Sequence, residues 1–497
     1  MAHFLGIDIG TSSVKAIIMD ESGSVVGSAS ESYPASQPQP LWSEQDPDSW
    51  WHATIKALAE LHRLCPVAYR DVAGIGLSGQ MHGAVLLDAK AQPLRPAILW
   101  NDGRAFAECA ELEHRVSGLG DKAGVPAMPG FTAPKLLWLE KHEPEIFNAI
   151  HTVVLPKDYV RYQLTRTFVT DMCDAAGTLW LDEAKRRWHP ELVEASGLGI
   201  NQLPDVLEGT ECSGLLSGEA ADLLGLKPGI PVVAGGGDAA AGAAGIGAVE
   251  DGDAFISLGT SAQYFVATDT YKPWPQSLIH SFAHCVPARW FQMACMLNGA
   301  SPLMWFAGVS GGEDIGKLLA ETEQQYRVDM PTIYLPYLTG ERTPHNNPFA
   351  AASFHQLTVA TTREHMVQSV LEGVAFALRD CQQALTEAGT RVPVIGAIGG
   401  GSRSRFWLQI IADVLDRSIV HYKDSESGPA LGAARLAQIQ VTQAKPSEIC
   451  HKPEVIAVVE PDPETHQAYS GKYAEFTALY REYEKPRTLR VAGSELR

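Results

Sequence analysis

The sequence predicts an α/β protein made of two related domains. Its 497 residues exceed what a single hydrophobic core usually organises, so more than one domain is expected. A Gly-Thr-Ser turn flanked by β-rich runs occurs twice, and each copy is followed by a strand that ends in glycine. Two repeats in the same order indicate a duplicated fold, and we place the boundary between domains 1–248 and 249–497.

The first repeated element reads as a strand, a tight turn and a second strand. It spans residues 4–18 and recurs at residues 254–267, with short β-rich runs on both sides of each turn. Asp8 in the first copy corresponds to Ser257 in the second. The sequence therefore predicts one hairpin in each domain.

The second repeated element is a strand that runs into glycine. Residues 71–79 form one such strand, and residues 394–402 form another, which runs into three glycines. Each half of the chain is therefore predicted to carry a hairpin and, later, a strand that leads to a glycine loop.

Helices are predicted between these strands. Asp46 and Pro47 supply a cap and a first-turn proline ahead of apolar residues at helical spacing. Thr361 and Glu364 have the spacing of a capping box before another helical run, which Gly389 ends.

An aromatic stripe near the C-terminus has the spacing of one helix face. Its members, before Pro486 stops the run, are Tyr469, Tyr473, Phe476, Tyr480 and Tyr483. Packing of this face on the C-terminal domain is the simpler interpretation. A contact in a homodimer is the alternative.

Composition argues against several classes of protein. A net charge of −19 without a Lys/Arg run argues against a nucleic-acid partner. The N-terminus lacks a basic stretch followed by an apolar run, so no signal peptide is predicted. Residues 232–249 are rich in Gly and Ala and make a poor membrane span. Eight cysteines without a C-x-x-C pair indicate reduced thiols in the cytoplasm.

The two Gly-Thr-Ser turns offer backbone amides and hydroxyls that suit phosphate oxygens. An ordinary hairpin turn uses the same residue types, but one copy in each domain favours two sites that grip one polyphosphate. The candidate phosphate contacts are Thr11, Ser12, Ser13 and Lys15 in the first copy and Gly259, Thr260 and Ser261 in the second.

Asp8 precedes the first turn by two residues. A carboxylate beside phosphates repels them unless a cation lies between, so Asp8 is a candidate to hold Mg²⁺, directly or through water. The alternative is a carboxylate that only caps the turn.

Asp238 follows an apolar strand and three glycines, where a helix of tiny side chains begins. Phosphoryl transfer to a hydroxyl needs a general base, and the glycines let a substrate approach the backbone closely. An Asp at this position is also typical of a helix N-cap. Its place near the domain boundary, where a cleft is expected, favours catalysis. Asp238 is also a second candidate Mg²⁺ ligand.

A third glycine loop occupies residues 399–404. It lacks the spacing of a Walker A loop, and the chain has no protein-kinase signature. A nucleotide is therefore expected to bind through a different architecture, with Gly400, Gly401, Ser402 and Arg403 as candidate contacts.

Polar segments suited to a polyol occur at residues 80–83, 100–104 and 341–347. The candidate sugar contacts in the first two are Gln80, Met81, His82, Trp100, Asp102 and Arg104. A sugar site needs paired donors and acceptors and one flat apolar wall, which Trp100 or Met81 would supply. The alternatives are solvated loops and, for His82, a structural histidine.

Taken together, these segments resemble the FGGY carbohydrate kinases. The matching motifs are D-I-G-T-S-S at 8–13, G-F-T-A-P-K-L-L-W-L-E-K-H at 130–142, G-G-G-D at 235–238, S-L-G-T-S at 257–261 and G-G-G-S-R-S at 399–404. They keep the family's order over nearly the whole chain. The resemblance implies two duplicated actin/hexokinase-like ATPase (ribonuclease H-like) domains, with a cleft between them that holds Mg-ATP and closes around the substrate.

The resemblance also implies roles for individual residues. Asp238 would deprotonate a primary hydroxyl of the sugar, Asp8 would organise Mg²⁺, and Met81 and His82 would contact the sugar. The loop at 399–403, with residues 428–432 nearby, would cradle the adenosine of ATP.

Within the family, four segments resemble those of members that act on D-xylulose: 42–47, 79–83, 99–104 and 340–347. The resemblance therefore implies phosphorylation of D-xylulose by ATP. A kinase for ribulose, gluconate, glycerol or a deoxyketose is one alternative. A sugar-binding protein without turnover and an ATPase that acts on protein partners are the others.

Overall fold

The computed structural model describes residues 2–312, 314–423 and 428–484. The chain divides into two compact units, and both are discontinuous in sequence. Unit 1 comprises Met1–Asp253, Val266–Gln292 and Ser425–Pro453, and unit 2 comprises Ala254–Phe265, Met293–Asp424 and Glu454–Arg497. The boundary near residue 248 stays a prediction.

The first part of the chain, through residue 245, belongs to unit 1. Its strands are β1 (His3–Ile9), β2 (Ser13–Asp20), β3 (Val25–Ser32), β4 (Glu44–Gln45), β5 (Val72–Gly79), β6 (Val85–Leu87), β7 (Ala97–Ile98), β8 (Thr152–Val154), β9 (Val169–Asp171), β10 (Leu181–Asp182), β11 (Arg187–Trp188), β12 (Asp205–Leu207), β13 (Cys212–Leu215), β14 (Pro231–Val233) and β15 (Gly236–Gly237). Its helices are α1 (Pro47–Leu64), α2 (Pro66–Arg70), α3 (Phe106–Arg115), α4 (Leu119–Ala123), α5 (Thr132–His142), α6 (Pro144–Ala149), α7 (Pro156–Thr165), α8 (Met172–Ala176), α9 (Pro190–Glu194), α10 (Gly218–Leu224) and α11 (Asp238–Gly245).

The main sheet of unit 1 has the strand order β13-β14-β5-β1-β2-β3, and β15 also pairs with β5. The predicted first hairpin is confirmed, since β1 and β2 pair antiparallel with Asp8 opposite Lys15. Strand β5 runs parallel to β1 and puts Ser78 beside Asp8. Strand β15 places Gly236 beside Ser78 on the other side. Asp8, Ser78 and Gly236 therefore lie in one row across β1, β5 and β15.

The core of unit 1 lies between this sheet and α1. Leu5 and Val14 of the hairpin and Trp50 and Leu61 of α1 are fully buried in it. The indole Nε1 of Trp50 donates to Oε1 of Gln45 at 3.0 Å, so this large ring is buried with its polar atom satisfied. The β1–β2 hairpin is therefore held in place by its packing against α1.

The rest of the chain contributes elements to both units. Its strands are β16 (Ala254–Leu258), β17 (Ala262–Thr268), β18 (His280–Ala283), β19 (Trp290–Met296), β20 (Ile333–Leu335), β21 (Ser353–His355), β22 (Val394–Ile398), β23 (Ser418–Tyr422) and β24 (Val455–Val459). Its helices are α12 (Ser301–Val309), α13 (Ile315–Gln324), α14 (Arg363–Glu387), α15 (Arg405–Leu415), α16 (Gly428–Thr442), α17 (Pro446–Ile449) and α18 (Pro463–Glu484).

The second large sheet has the order β18-β19-β17-β16-β22-β23-β24. Strands β16 and β17 flank the second Gly-Thr-Ser turn and are neighbours in the sheet, so the second hairpin is also confirmed. Strand β22 runs parallel to β16, with Ile398 beside Ser257. It then leads directly into the glycine loop, as the repeat predicts.

Helix α16 covers the main sheet of unit 1, although the chain reaches it only after most strands of unit 2. Gly6 on β1 and Gly76 on β5 permit this contact. A Cβ on Gly6 would lie 1.9 Å from the carbonyl oxygen of Ala430, and one on Gly76 would lie 1.8 Å from that of Ala433. Helix α16 also packs on α11, so its small residues serve two close contacts.

One helix cap follows the sequence prediction and another does not. Asp46 caps α1, with its side chain accepting the amide of Asp48, and Pro47 is the first residue of the helix. The predicted capping box of Thr361 and Glu364 is wrong by one residue, because Thr362 is the N-cap of α14 and His365 completes the box. Thr361 instead closes the preceding turn, where its Oγ1 accepts the amide of Thr358 at 2.9 Å.

The aromatic stripe packs within unit 2, as predicted. Tyr469 and Phe476 of α18 are fully buried, and both contact Phe376 of α14. The side chain of Tyr483 and all of Pro486 lie outside the described residues. A homodimer contact stays a prediction. No helix in the described ranges is long and apolar enough to cross a bilayer.

Candidate active site

Asp8 and Asp238 lie close together in unit 1. Asp8 stands near the end of β1, and Asp238 follows β15 directly; both strands pair with β5. The two carboxylates are within electrostatic reach, because the charge of Asp238 contributes to the raised pKa of Asp8. The structure therefore brings the two predicted catalytic residues together.

Asp8 has an environment that disfavours its charge. Burial raises the pKa of Asp8 to about 7 and the charge of Asp238 adds to this, while Ser78 and Lys15 lower it. Its Oδ1 is buried and has no hydrogen-bond partner among the described residues. An orphaned buried oxygen is costly unless a donor or cation satisfies it. Asp8 is therefore suited to a ligand that brings positive charge.

Asp238 is the first residue of α11, and Gly237 is the N-cap, so the N-cap interpretation of Asp238 is wrong. Its Oδ1 accepts the amide of Ala239 at 2.8 Å, and Oδ2 has no hydrogen-bond partner in the described chain. Desolvation by the surrounding protein raises the pKa of Asp238 to about 6, although the residue retains exposed surface. It is therefore mostly ionised at pH 7 and is a stronger base than an ordinary aspartate.

The glycine loop before Asp238 packs against Met81. A Cβ on Gly237 would lie 2.6 Å from Sδ of Met81, so only glycine allows this approach without a shift. Met81 is buried. The predicted base and a predicted sugar contact are thus neighbours across the ends of β15 and β5.

The first Gly-Thr-Ser turn is tied to the predicted sugar residues. The amide of Gly10 donates to the carbonyl of Ser13 at 3.0 Å and closes the turn. Nε1 of Trp100 donates to Oγ1 of Thr11 at 3.0 Å. Ser12 at the tip is exposed, and Lys15 follows on β2. A predicted phosphate contact and a predicted sugar wall are therefore hydrogen-bonded to each other.

Gln45 also connects the first Gly-Thr-Ser turn to a predicted sugar residue, and it was not singled out from the sequence. Its Nε2 donates to the carbonyl of Thr11 at 2.6 Å, and its Oε1 accepts Nε2 of Gln80 at 3.0 Å. Gln80 is buried, with its own Oε1 unpartnered among the described residues. The only sequence signal for Gln45 is its position in the W-S-E-Q-D-P segment.

His82 is held by both its ring and its backbone. Its φ is 69°, its Nδ1 lies 2.8 Å from the carbonyl oxygen of Gly177, and its own carbonyl accepts Nζ of Lys135 at 2.9 Å. Lys135 is buried, and this burial lowers its pKa to about 7. Lys135 was not assigned a role from the sequence, but it fixes the backbone of the predicted sugar segment.

Asp102 and Arg104 bind each other instead of projecting outward. Nη2 of Arg104 lies 2.7 Å from both Oδ2 of Asp102 and Oε1 of Glu44, and its guanidinium stacks 3.6 Å from the ring centre of Trp42. The side chains of Arg104 and Asp102 are 1% and 0% exposed. Their contact with a sugar stays a prediction, and in the described structure they support the wall beside Trp100.

A cavity of about 320 Å³ adjoins this segment. Its lining comprises Gln37, Pro38, Gln39, Pro40, Leu41, Trp42, Ser43 and Asn101. Amide and hydroxyl groups alternate there with apolar rings, which is the character expected beside a polyol. Neither Asp8 nor Asp238 lines it.

The second Gly-Thr-Ser turn, in unit 2, is clamped by its own surroundings. The carbonyl of Gly259 accepts the amide of Ala300 at 2.7 Å, and that of Thr260 accepts the amides of Gly299 at 3.0 Å and Ser301 at 3.2 Å. Ser261 at the end of the turn is exposed, so its side chain is accessible to a ligand.

The glycine loop of unit 2 lies against the same hairpin. Gly399 has a φ of 89°, and a Cβ there would lie 2.9 Å from the backbone of Leu258, just before the turn. Residues Gly400–Arg403 form one 3₁₀ turn, and Ser404 caps α15 directly after it. The structure thus brings together all the predicted nucleotide contacts of unit 2, beside a helix N-terminus.

The third polyol-like segment also lies in unit 2. Glu341 is buried there, and its carboxylate accepts the amides of Leu297 at 2.6 Å and Arg342 at 2.9 Å. His345 stacks on Tyr480 of α18. These contacts give the segment a structural role within its own unit.

Comparison with known families identifies two matches that follow one another along the chain. The N-terminal domain of the FGGY family of carbohydrate kinases matches residues 3–245, and the C-terminal domain of the same family matches residues 254–441.

Individual relatives span almost the whole chain. The xylulose kinase of Escherichia coli is 45% identical over 491 residues, which cover 96% of this chain and 99% of that protein. A Brucella ovis protein described as a xyloylose kinase has a solved structure with 44% identity and a TM-score of 0.94, covering 97% and 99% of the two chains. A gluconate kinase from Lactobacillus acidophilus is 26% identical, with a TM-score of 0.90 over 97% of this chain and 98% of its own.

Proposed function

The chain belongs to the FGGY family of carbohydrate kinases, and from this premise we propose that it transfers the γ-phosphoryl group of ATP to D-xylulose. The products are D-xylulose 5-phosphate and ADP. The observation that carries the proposal is the pair Asp8 and Asp238, whose carboxylates are close enough to interact and have raised pKa values beside the predicted sugar residues.

Asp238 is proposed as the general base. Its Oδ2 accepts the proton of the primary hydroxyl as the hydroxyl oxygen attacks the γ-phosphorus, and the bond from phosphorus to the β–γ bridging oxygen breaks to release ADP. A carboxylate with a pKa near 6 stays ionised at neutral pH and binds the proton more readily than an ordinary aspartate does. The hydrogen bond from Ala239 to Oδ1 keeps the carboxylate oriented.

The donor set at Asp8 fits a divalent cation. Its buried Oδ1 lacks a partner among the described residues, and a second carboxylate lies nearby, so hard oxygen ligands and negative charge coincide. Asp8 would hold Mg²⁺, directly or through water, with Asp238 close enough to contribute. When bound, the ion neutralises charge on the phosphates of ATP.

The nucleotide contacts are proposed from both repeats. Thr11, Ser12, Ser13 and Lys15 of unit 1 and the turn at 259–261 of unit 2 would meet phosphate oxygens. In unit 2 the loop at 399–403 would contact the nucleoside. Turn amides and the N-terminus of α15 supply the positive partial charge that an anion needs.

D-xylulose is preferred over other sugars because the relatives with the highest identity quoted above are described as kinases of this sugar. The gluconate kinase shares the fold at lower identity, which makes another polyol the second candidate. Met81 and His82 would contact the sugar, and Trp100 would supply its flat wall.

The test is ADP release, coupled to an optical readout, against D-xylulose, D-ribulose, D-gluconate, glycerol and a deoxyketose. Stimulation by D-xylulose far above the other sugars supports the proposal. Equal or greater stimulation by another sugar would reassign the substrate. ATP hydrolysis that no sugar changes would contradict the proposed reaction.

A further inference from the structure

A wholly buried group of five charged residues lies behind the candidate active site. We call it the Lys157 cluster: Lys157, Asp158 and Arg161 of α7, Asp171 at the end of β9, and Asp174 of α8. Nζ of Lys157 lies 2.5 Å from Oδ1 of Asp158, 2.6 Å from Oδ2 of Asp171 and 3.1 Å from Oδ2 of Asp174. Arg161 also binds Asp158, and all five side chains are 0% exposed.

The cluster has three carboxylates and two cations. Burial raises the pKa of Asp171 and Asp174. Burial acts on Asp158 too, but Lys157 and Arg161 outweigh it and hold its pKa below the ordinary value. The two cations offset two of the three carboxylate charges, and burial favours the protonated forms of Asp171 and Asp174.

The three carboxylates are near enough to one another to hold a metal ion. The ammonium of Lys157 contacts all three and supplies the positive charge that an ion would bring. Lys157 therefore takes the place of such an ion, although Oδ2 of Asp158 and Oδ1 of Asp174 have no hydrogen-bond partner among the described residues.

One arm of the cluster reaches the loop that carries Asp238. Nη2 of Arg161 donates to the carbonyl of Ala234 at 3.1 Å, directly before the three glycines. Helix α8 packs on β15, and the thiol of Cys173 lies beside the backbone of Gly237. Glycines have no side chains to hold them in place, so these contacts substitute for side-chain packing.

The other arm reaches the sugar segment. Gly177 immediately follows α8, and its carbonyl oxygen lies 2.8 Å from Nδ1 of His82. Because Asp171 caps α8 and Asp174 lies within it, Lys157 holds the helix that supports His82. Arg161 of the same cluster holds the loop before Asp238.

We propose that the Lys157 cluster positions Asp238 and His82 relative to each other, so that the hydroxyl of the sugar meets its base. This proposal rests on the proposed function. The cluster residues touch no substrate and act only through the two arms. Misplacement of a reacting group by about 1 Å lowers turnover by about 10²-fold, so a rigid buried anchor has a direct effect on rate.

The matched test compares Asp174→Ala with Asp174→Asn. The alanine leaves Lys157 one contact short and loosens α8, so we expect kcat to fall by about 10-fold and the KM for D-xylulose to rise several-fold, with the KM for ATP unchanged. The asparagine keeps the shape of a protonated carboxyl and should restore both values to within about 3-fold of wild type. Values are taken per mole of folded protein.

Glu372→Gln is the control, because it weakens a buried ion pair with Lys472 in unit 2, at 2.5 Å. It should lower the denaturation midpoint without changing the KM for the sugar. Wild-type kcat and sugar KM in Asp174→Ala would overturn the proposal. An equal rise in sugar KM in Glu372→Gln would overturn it as well.

A second measurement needs no turnover and separates this proposal from the proposed function. Amide hydrogen exchange should accelerate at residues 177–179 and 234–240 in Asp174→Ala, but not at residues 257–261. Arg161→Lys, which keeps the charge but loses the contact with Ala234, should accelerate exchange at 234–240 alone. Unchanged exchange in both variants would contradict the positioning role, even if the kinase reaction is correct.

Discussion

The two Gly-Thr-Ser hairpins share a backbone plan and differ in what surrounds the turn. In both, a parallel strand lies beside the first strand of the hairpin and leads into a glycine. The first hairpin carries Asp8 beside Ser78, whereas the second carries Ser257 beside Ile398. The first turn is tied to Trp100 by a side chain, and the second is clamped through its carbonyls.

This difference shows how one scaffold supports two kinds of binding. The unit 1 copy has a carboxylate with a raised pKa, and its turn is hydrogen-bonded to the predicted sugar residue Trp100. The unit 2 copy has no carboxylate at the matching position, and its neighbouring loop at 399–403 is suited to an uncharged or anionic group. Five changes would break or sharpen this comparison.

The largest effect is expected for Asp238→Asn, which removes the base from the first unit. We expect kcat to fall by roughly 10²–10⁴-fold, since the amide cannot take up the proton of the hydroxyl. The circular dichroism spectrum should match wild type. Asp222→Asn, an exposed change on α10, is the matched control and should keep full turnover. Near wild-type kcat in Asp238→Asn would show that another group is the base.

The second-largest effect is expected from exchanging the residue that distinguishes the two hairpins. Asp8→Ser gives the first copy the residue of the second, and we expect kcat to fall by about 10²-fold, the size typical of losing one electrostatic contact to a transition state. Asp8→Ser should also weaken the dependence of the rate on Mg²⁺ concentration.

The reverse exchange, Ser257→Asp, places a carboxylate beside the second turn. It should raise the KM for ATP and leave the KM for the sugar unchanged, because the new charge repels phosphate. If Ser257→Asp raised the sugar KM instead, the assignment of the two hairpins would be reversed.

A smaller effect is expected for Thr11→Val, which removes the acceptor for Nε1 of Trp100. The loss of one hydrogen bond corresponds to about 2–10-fold in affinity, and we expect it in the KM for the sugar. Thr260→Val makes the same change in the second turn and should leave the sugar KM unchanged. Steady-state kinetics with each substrate varied in turn distinguish the two, and equal sugar KM values would refute the link through Trp100.

The smallest effect concerns stability and pH. Because burial raises the pKa of Asp8 to about 7, the folded protein holds this proton more tightly than the unfolded chain. The contribution of Asp8 to stability is therefore present at low pH and is lost as the pH rises from about 4 through 7. Without Mg²⁺ or ATP, Asp8→Asn should melt about 2 °C above wild type at pH 8 and show no gain near pH 4. Ser257→Asn should show no such dependence on pH.

The sequence predicts the duplicated plan because its signals are local. Each hairpin needs only a β-rich run, a turn and another run, and each glycine loop follows its strand directly. Asp8 and Asp238 were found for the same reason, since each adjoins glycines whose conformational freedom marks a close approach. The resemblance to a family then supplied the substrate, which spacing alone leaves open.

Contacts between distant segments escaped prediction. Gln45, Lys135 and the Lys157 cluster act through side chains that meet only after folding, and no spacing along the chain marks them. The sequence suggests that Asp102 and Arg104 are exposed polar groups. In the structure both are buried, because Arg104 forms ion pairs with Asp102 and Glu44 and its guanidinium stacks on Trp42. The box at Thr362 was missed by one residue because Thr361 has a glutamate three residues on, as the usual pattern requires, whereas the box in the structure is completed by His365.

The position of α16 has a consequence for synthesis. The groove that Gly6 and Gly76 leave on the first sheet is filled by a helix that ends at Thr442, so the first unit stays unfinished until the chain has been synthesised through that residue. Chains usually fold domain by domain from the N-terminus. This one must keep its nascent first sheet from associating with other chains while unit 2 emerges, which makes it a candidate for chaperone binding during translation.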